Sequence, residues 1–290
     1  MKKINKLFSA FLLLLCLPAF GARAFAEGSA PVAENLELRT FRNVSVGGRL
    51  NAFDPDDDVV SYTITTEPVK GSIEVEENGC FVYTPKENKR GRDYFGYKAV
   101  DSEGNLSQEA TVIIRIERHK KSAAYTDLEG QACGYAAAVL SDAGIFTGER
   151  LASGFCFCPE KPVSRGEFLS LCLALKNRPP LEAVLKTMYR DDEAIPVWVK
   201  GCCAAAQLAG IAPKTDELQA SAPITAEEAN EWLNQTLALT EISYLQPEPG
   251  QTQAYLNLTA HGIPAPAGAD VLTRGEAARM LAAALALKSK

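Results

Sequence analysis

From Asn35 to Glu117 hydrophobic and polar residues alternate with a period of two, the pattern of half-buried strands. The runs LELRT, VVSYTITT, GSIEV, CFVYTP, DYFGYKAV and ATVIIRI are short and rich in β-branched and aromatic residues. Glu77-Asn78-Gly79 separates two of them as a hairpin turn, and Ser102-Glu103-Gly104-Asn105 separates another pair. Six or seven strands in so short a span predict an antiparallel, immunoglobulin-like β-sandwich over residues 27–117.

Beyond Glu117 the period changes. RHKKSAA, residues 118–124, reads as a linker, and after it apolar residues recur at helical spacing. Six amphipathic stretches follow, of two alternating kinds. One kind ends in Gly-Ile, at Gly144-Ile145, Gly210-Ile211 and Gly262-Ile263, where glycine suits a helix C-cap. The other kind opens with a hydroxyl residue and a glutamate three positions on: Ser164 and Glu167, Thr225 and Glu228, Thr273 and Glu276. That is the spacing of a capping box, in which hydroxyl and carboxylate satisfy the first free amides. The alternation predicts three copies of one all-α repeat, over 125–180, 188–241 and 250–288, the last with a truncated opening.

Two of the helix starts are spelled Ser/Thr-Arg-Gly-Glu, with Arg165 and Arg274 in the first turn. A cation there faces the positive end of the helix dipole, at a cost of a few tenths of a kcal/mol. Some other interaction must favour it. The middle copy has Ala226 in the same place.

Residues 1–26 stand apart. Lys2, Lys3 and Lys6 precede the apolar run Leu7–Leu17, and Ala24-Phe25-Ala26 has the form of a cleavage site. This is a secretory signal peptide, and its apolar run is short for a membrane span. Leu15 stands where a lipoprotein needs a small residue, which argues against a lipidated Cys16. Removing the segment leaves 26 Lys and Arg against 36 Asp and Glu, a net charge of −10. That disfavours nucleic acid or an anionic membrane as the main partner, so any anion must bind at a local site. Seven cysteines remain, an odd number; most lie in apolar helical patterns and read as small buried residues, with one or two disulfides left open in an exported chain.

The stretch from Asn51 to Ile116 carries D-P-D-x-D, P-x-x-G, a G-x-F-x-Y-T-P hairpin, D-x-F-x-Y and D-x-x-G. In these it resembles the bacterial Ig-like, cadherin-like repeats of surface proteins, which usually act as spacers or adhesive modules. The helical half resembles the S-layer homology family over residues 125–287. The first copy offers Tyr125-Thr126-Asp127, Gly144-Ile145, Phe157-Cys158-Pro159 and Val163-Ser164-Arg165-Gly166-Glu167. The second offers Tyr189-Arg190-Asp191, Ile195-Pro196-Val197-Trp198, Gly210-Ile211 and Ile224-Thr225-Ala226-Glu227-Glu228, and the third Gly262-Ile263 and Leu272-Thr273-Arg274-Gly275-Glu276. Gln131-Ala132 stand where the family writes His-Trp, and Ala226 where it writes arginine.

This second resemblance implies a pseudo-threefold bundle whose grooves bind secondary cell-wall polymers, often pyruvylated, on a Gram-positive-type wall. The residues it brings forward are Arg165, Arg274, Trp198, Asp127, Asp191, Ser164 and Thr273, with Glu167, Thr225, Glu228 and Glu276 as helix caps; Asp127 and Asp191 also suit loop fixing. A helix N-terminus with free amides is an anion site, and an arginine fork beside it suits a carboxylate. On that reading Arg274→Ala leaves folding nearly unchanged and weakens polymer binding, while the Ala226 groove is structural. Asp54, Asp56 and Asp58 offer hard oxygen ligands for Ca²⁺ in the sandwich. His119 and His261 are expected to be solvated. No nucleophile elbow, zinc-protease helix or phosphate loop is present, so the expectation is a non-enzymatic envelope protein. The alternatives are an adhesin that binds a surface glycan or protein through the sandwich, and a carbohydrate-active enzyme with an unrecognised carboxylate pair.

Overall fold

The computed structural model describes residues 29–56, 59–119, 125–152, 154–240 and 246–288. The signal peptide expected over 1–26 lies outside them, as does Asp58. Among the described residues, nine strands build the N-terminal half: β1 (Val32–Ala33), β2 (Leu36–Phe41), β3 (Val46–Arg49), β4 (Ala52–Phe53), β5 (Val59–Thr66), β6 (Gly71–Val75), β7 (Cys80–Pro85), β8 (Gly91–Asp101) and β9 (Ala110–Glu117). A four-stranded sheet, β2-β9-β8-β5, and a three-stranded sheet, β3-β7-β6, share one core, while β1 and β4 form a small pair. Period-two burial does the work: Phe81, Tyr83, Phe95, Tyr97, Val112 and Ile114 point inward and are at most 2% exposed. Asp93 is buried but satisfied, accepting from the Val69 and Lys70 amides and the Tyr83 hydroxyl.

One expectation is corrected. The sandwich is not wholly antiparallel, because β2 pairs with β9 in parallel, Leu36 opposite Val112 through Phe41 opposite Glu117. A hairpin forces antiparallel pairing; these strands are joined only through the whole domain, so no turn sets their direction.

The C-terminal half contains the hairpin β10 (Glu149–Leu151) and β11 (Gly154–Cys156) and six helices: α1 (Gly134–Asp142), α2 (Arg165–Leu175), α3 (Val197–Leu208), α4 (Ala226–Leu237), α5 (Gln253–Ala260) and α6 (Arg274–Lys288). They share one core that includes Leu140, Phe157, Phe168, Leu169, Leu233, Leu258 and Leu281. Cys133, Cys172, Cys202 and Cys203 sit in it as small buried residues, and burial pushes the thiols of Cys133 up to about 11 and Cys172 and Cys203 up to about 12.

The segments that open α2, α4 and α6 meet in a closed ring of hydrogen bonds. The Val163 amide donates to Leu272 O (3.0 Å), the Leu272 amide to Ile224 O (2.9 Å) and the Ile224 amide to Val163 O (2.9 Å). All three residues are fully buried. A second ring lies beside it: Arg165 N to Ala222 O, Ala226 N to Asp270 O and Arg274 N to Lys161 O, at 2.8–2.9 Å.

The two halves are docked, not merely linked. β3 is an edge strand, and residues 130–135 cover that edge. Gly47 N donates to Ala132 O (2.9 Å), Tyr135 N to Ser45 O (3.0 Å) and Gly130 N to the Ser45 hydroxyl (2.9 Å). His119, expected to be solvated, instead stacks on Phe41 with ring centroids 4.4 Å apart, its Nε2 2.8 Å from Asp142 Oδ2. His261 is exposed, and its Nδ1 lies 2.7 Å from Asn257 O.

This docking decides the sign of a substitution. Helix propensity alone makes Gly134→Ala stabilising by about 0.5–1 kcal/mol. A Cβ on Gly134 would lie 2.7 Å from Ser45 O, so the full chain should instead melt lower. A raised melting temperature would mean that the halves do not touch in this way.

Candidate functional site

The hydrogen-bond rings place the first turns of α2, α4 and α6 against one another, each helix start facing the loop before the next. This accounts for the arginines. Arg165, the first residue of α2, sends its fork to Glu228, the capping glutamate of α4. Nε lies 3.1 and 3.2 Å from the two carboxylate oxygens and Nη2 2.6 Å from Oε1. Arg274, the first residue of α6, reaches Glu167 of α2, Nη1 to Oε1 at 2.9 Å. At the third junction Ala226 replaces the arginine, so Glu276 meets no guanidinium there and bonds back to its own Thr273.

The helix starts themselves behave as the spacing predicts. Thr225 and Glu228 form a complete capping box, and Thr273 and Glu276 exchange the same two bonds. Ser164 accepts from the Glu167 amide, but the Glu167 carboxylate turns to Arg274. The expectation of free amides is corrected. In α2 the first three go to Ala222 O, Ala220 O and the Ser164 hydroxyl; in α6 they go to Lys161 O, Pro159 O and the Thr273 hydroxyl. The glycine of Arg-Gly-Glu permits this approach in α2, since a Cβ on Gly166 would lie 2.8 Å from Val199.

The two arginines differ in access. Arg274 is 3% exposed, and besides Glu167 it donates from Nε to Phe157 O and from Nη2 to Thr147 O. Its guanidinium lies over the rings of Phe146 and Phe157, 4.4 and 5.0 Å from their centroids. Such a group is locked inside, and the expectation that Arg274→Ala leaves folding nearly unchanged is corrected. Arg165 is 20% exposed and borders a cleft of about 90 Å³ lined also by Glu217, Leu218, Gln219, Glu228 and Trp232. Its Nη1 donates to the neutral Gln219 Oε1 at 2.9 Å.

Asp191 builds one wall of this cleft by accepting from the Leu218 and Gln219 amides at 2.9 and 2.8 Å. Asp127 does the same for Phe157 and Cys158 at the Arg274 junction, at 2.9 and 2.7 Å. Both are therefore loop-fixing residues in this structure. Trp198 is 55% exposed on the first turn of α3; the tryptophan lining the Arg165 cleft is Trp232. Trp232 stands one turn after Glu228, a spacing that puts both on one face of α4 and could have flagged it. In the sandwich, Asp54 accepts from the Asp56 amide and Asp56 from the Ser29 amide. Among the described residues no group of three or more His, Cys, Asp or Glu is placed to hold a metal. A larger cavity, about 600 Å³, lies between the two halves, lined from the sandwich by Arg42, Ser45 and Thr84 and from the helical half by Tyr125, Leu128 and Ala138.

Arg274→Ala should cost about 3–5 kcal/mol, because it leaves Glu167 and two carbonyls without their buried partner. Thr273→Ala should cost about 1 kcal/mol through the lost cap. Denaturant melts of the two variants check the order, and equal losses would contradict the buried pair. Burial works against charge on Glu228, but the Arg165 fork and the Thr225 amide and hydroxyl outweigh it and hold the carboxyl below its ordinary range. Glu228 thus stabilises the fold at neutral pH, and the contribution is lost as pH falls through that depressed pKa. Arg165→Ala should flatten this acid limb of the stability profile; an unchanged limb would exclude the pair.

A comparison with curated proteins finds no match. Among solved structures the chain is similar to the SrpA adhesin of Streptococcus sanguinis, at 16% identity and a TM-score of 0.27, over 33% of this chain and 62% of that one. It is also similar to an endo-fucoidan hydrolase of glycoside hydrolase family 107, at 17% identity and a TM-score of 0.27, over 33% and 14%. A third is the fibronectin(III)-like modules of Clostridium thermocellum CbhA, at 14% identity and a TM-score of 0.21, over 33% and 51%. The chain spans less than two thirds of each. The family model of the bacterial cadherin-like domain matches residues 28–118, so the N-terminal part of this chain is similar to that family.

Proposed function

We propose that the chain is an exported, non-enzymatic envelope protein, held to an anionic secondary cell-wall polymer by its helical half and displaying the cadherin-like domain. The observation that carries this reading is the arrangement of the three helix starts. Equivalent segments close a hydrogen-bond ring and aim a first-turn arginine at each of two junctions, as expected of an S-layer homology triplet. The signal-like residues 1–26 support export, and among the described residues no helix is long and apolar enough to cross a membrane.

The three junctions then divide the labour. Arg274 holds the bundle together, and the Ala226 junction lacks a fork. The Arg165 cleft is the polymer site. Arg165 Nη1 meets only a neutral amide oxygen among the described residues, so a ligand carboxylate that displaces Gln219 gains a charge-assisted bond at little cost. Trp232 offers an aromatic wall beside it. Asp127, Asp191, Ser164 and Thr273 act through the backbone they fix, and Trp198 lies outside this cleft.

The full chain should sediment with sacculi that bear the polymer and remain in solution with sacculi stripped of it. Arg165→Ala should weaken binding by about 1.5–3 kcal/mol, the range for a hydrogen bond to a charged group. Equal sedimentation with stripped sacculi, or undiminished binding in the variant, would end the reading.

A further inference from the structure

The register of the four-stranded sheet lines up three like charges. Arg39 on β2 is opposite Arg115 on β9, and Arg115 is opposite Arg92 on β8. All three lie on the outer face, since their neighbours Thr40, Ile116 and Asp93 point into the core. Like charges directly opposite one another destabilise a sheet. The face compensates only in part. Arg39 pairs with Glu117 and Arg115 with Glu37, while Arg92, exposed, forms no ion pair among the described residues. Lys89 and Arg90, also exposed, lead into β8 beside it, and the Lys70 amine holds that loop by donating to Arg90 O. On the same strand and face, two residues beyond Arg92, stands Tyr94, a 58% exposed ring opposite Ile113. Glu37 lies in the same cross-strand row, also opposite Ile113, but is taken up by Arg115, and Glu109 lies beside Gly96, two residues beyond Tyr94.

A row of cations kept at a cost to the sheet, next to an exposed ring, has the chemistry of a ligand site. We infer that this face binds an acidic polysaccharide: a sugar ring lays its C–H face on Tyr94 while its carboxylate takes the fork of Arg92, with Arg115 and Arg39 continuing the strip. The acidic balance of the chain, −6 in full and −10 without residues 1–26, disfavours nucleic acid, whose dense phosphates would meet that acidic remainder. The site lies on the cadherin-like domain and does not depend on the helical half holding a wall polymer.

Affinity electrophoresis of the full chain through gels containing polygalacturonate, dextran or polyphosphate tests it. Polygalacturonate should retard the chain and dextran should not. Arg92→Gln should weaken the retardation about tenfold, and Tyr94→Ala should weaken it severalfold. Arg92→Gln should also melt at the same temperature or higher, because it relieves the crowding of like charges. No retardation by polygalacturonate, or retardation undiminished in both variants, would overturn the site. So would retardation by polyphosphate equal to that by polygalacturonate and indifferent to Tyr94→Ala, which marks a general polyanion contact. Loss of sedimentation with sacculi by the parent chain would end the wall-anchoring reading and leave this one standing.

Discussion

Three buried backbone hydrogen bonds, among Val163, Leu272 and Ile224, set the geometry of the helical half. They join segments far apart in sequence, so closing them carries a loop entropy that only the surrounding core offsets. Once closed, they leave little freedom. Each helix must begin two residues after its ring member, with its first amide aimed at the neighbouring segment. The first side chain of one helix then faces the third side chain of the next. An arginine in the first turn, unfavourable against its own dipole, finds the capping carboxylate of its neighbour.

The same backbone is filled differently at each junction. Arg274 is packed between aromatic rings and saturated by Glu167 and two carbonyls, and behaves as a structural bolt. Arg165 makes the equivalent pair with Glu228 but keeps one edge at an open cleft. Ala226 fills its position with a methyl group. One backbone arrangement thus carries three unequal fillings, one saturated, one open on one side and one without a guanidinium. The cadherin-like domain is fixed against this unit through the edge of β3, so a ligand on its outer sheet would be held in a set direction relative to the helical half.

Much of this was legible in the residues. The switch from period two to helical period located both halves, and the hydroxyl-x-x-glutamate spacing located the starts of α2, α4 and α6. What was not legible was long-range. Nothing local tells that β2 runs parallel to β9, or that three arginines fall in one row across the outer face. The destination of Arg165 and Arg274 depends on the ring, which has no signature beyond alternating residues before each cap. His119 looked like part of a charged linker, yet Phe41 and Asp142, distant in sequence, cover part of it. The tryptophans show the limit most simply: Trp198 matched a motif and lies on the surface, while Trp232 matched none and lines the cleft.

If the ring is the constraint on which the helical half depends, its three amides should be among the last to open. Native-state hydrogen exchange at Val163, Ile224 and Leu272 tests this directly. They should exchange together, only through global unfolding of the helical half, with opening free energies equal to one another and to its full stability. Exchange of any one of them through a separate, lower-energy opening, while the helices stay folded, would contradict the account.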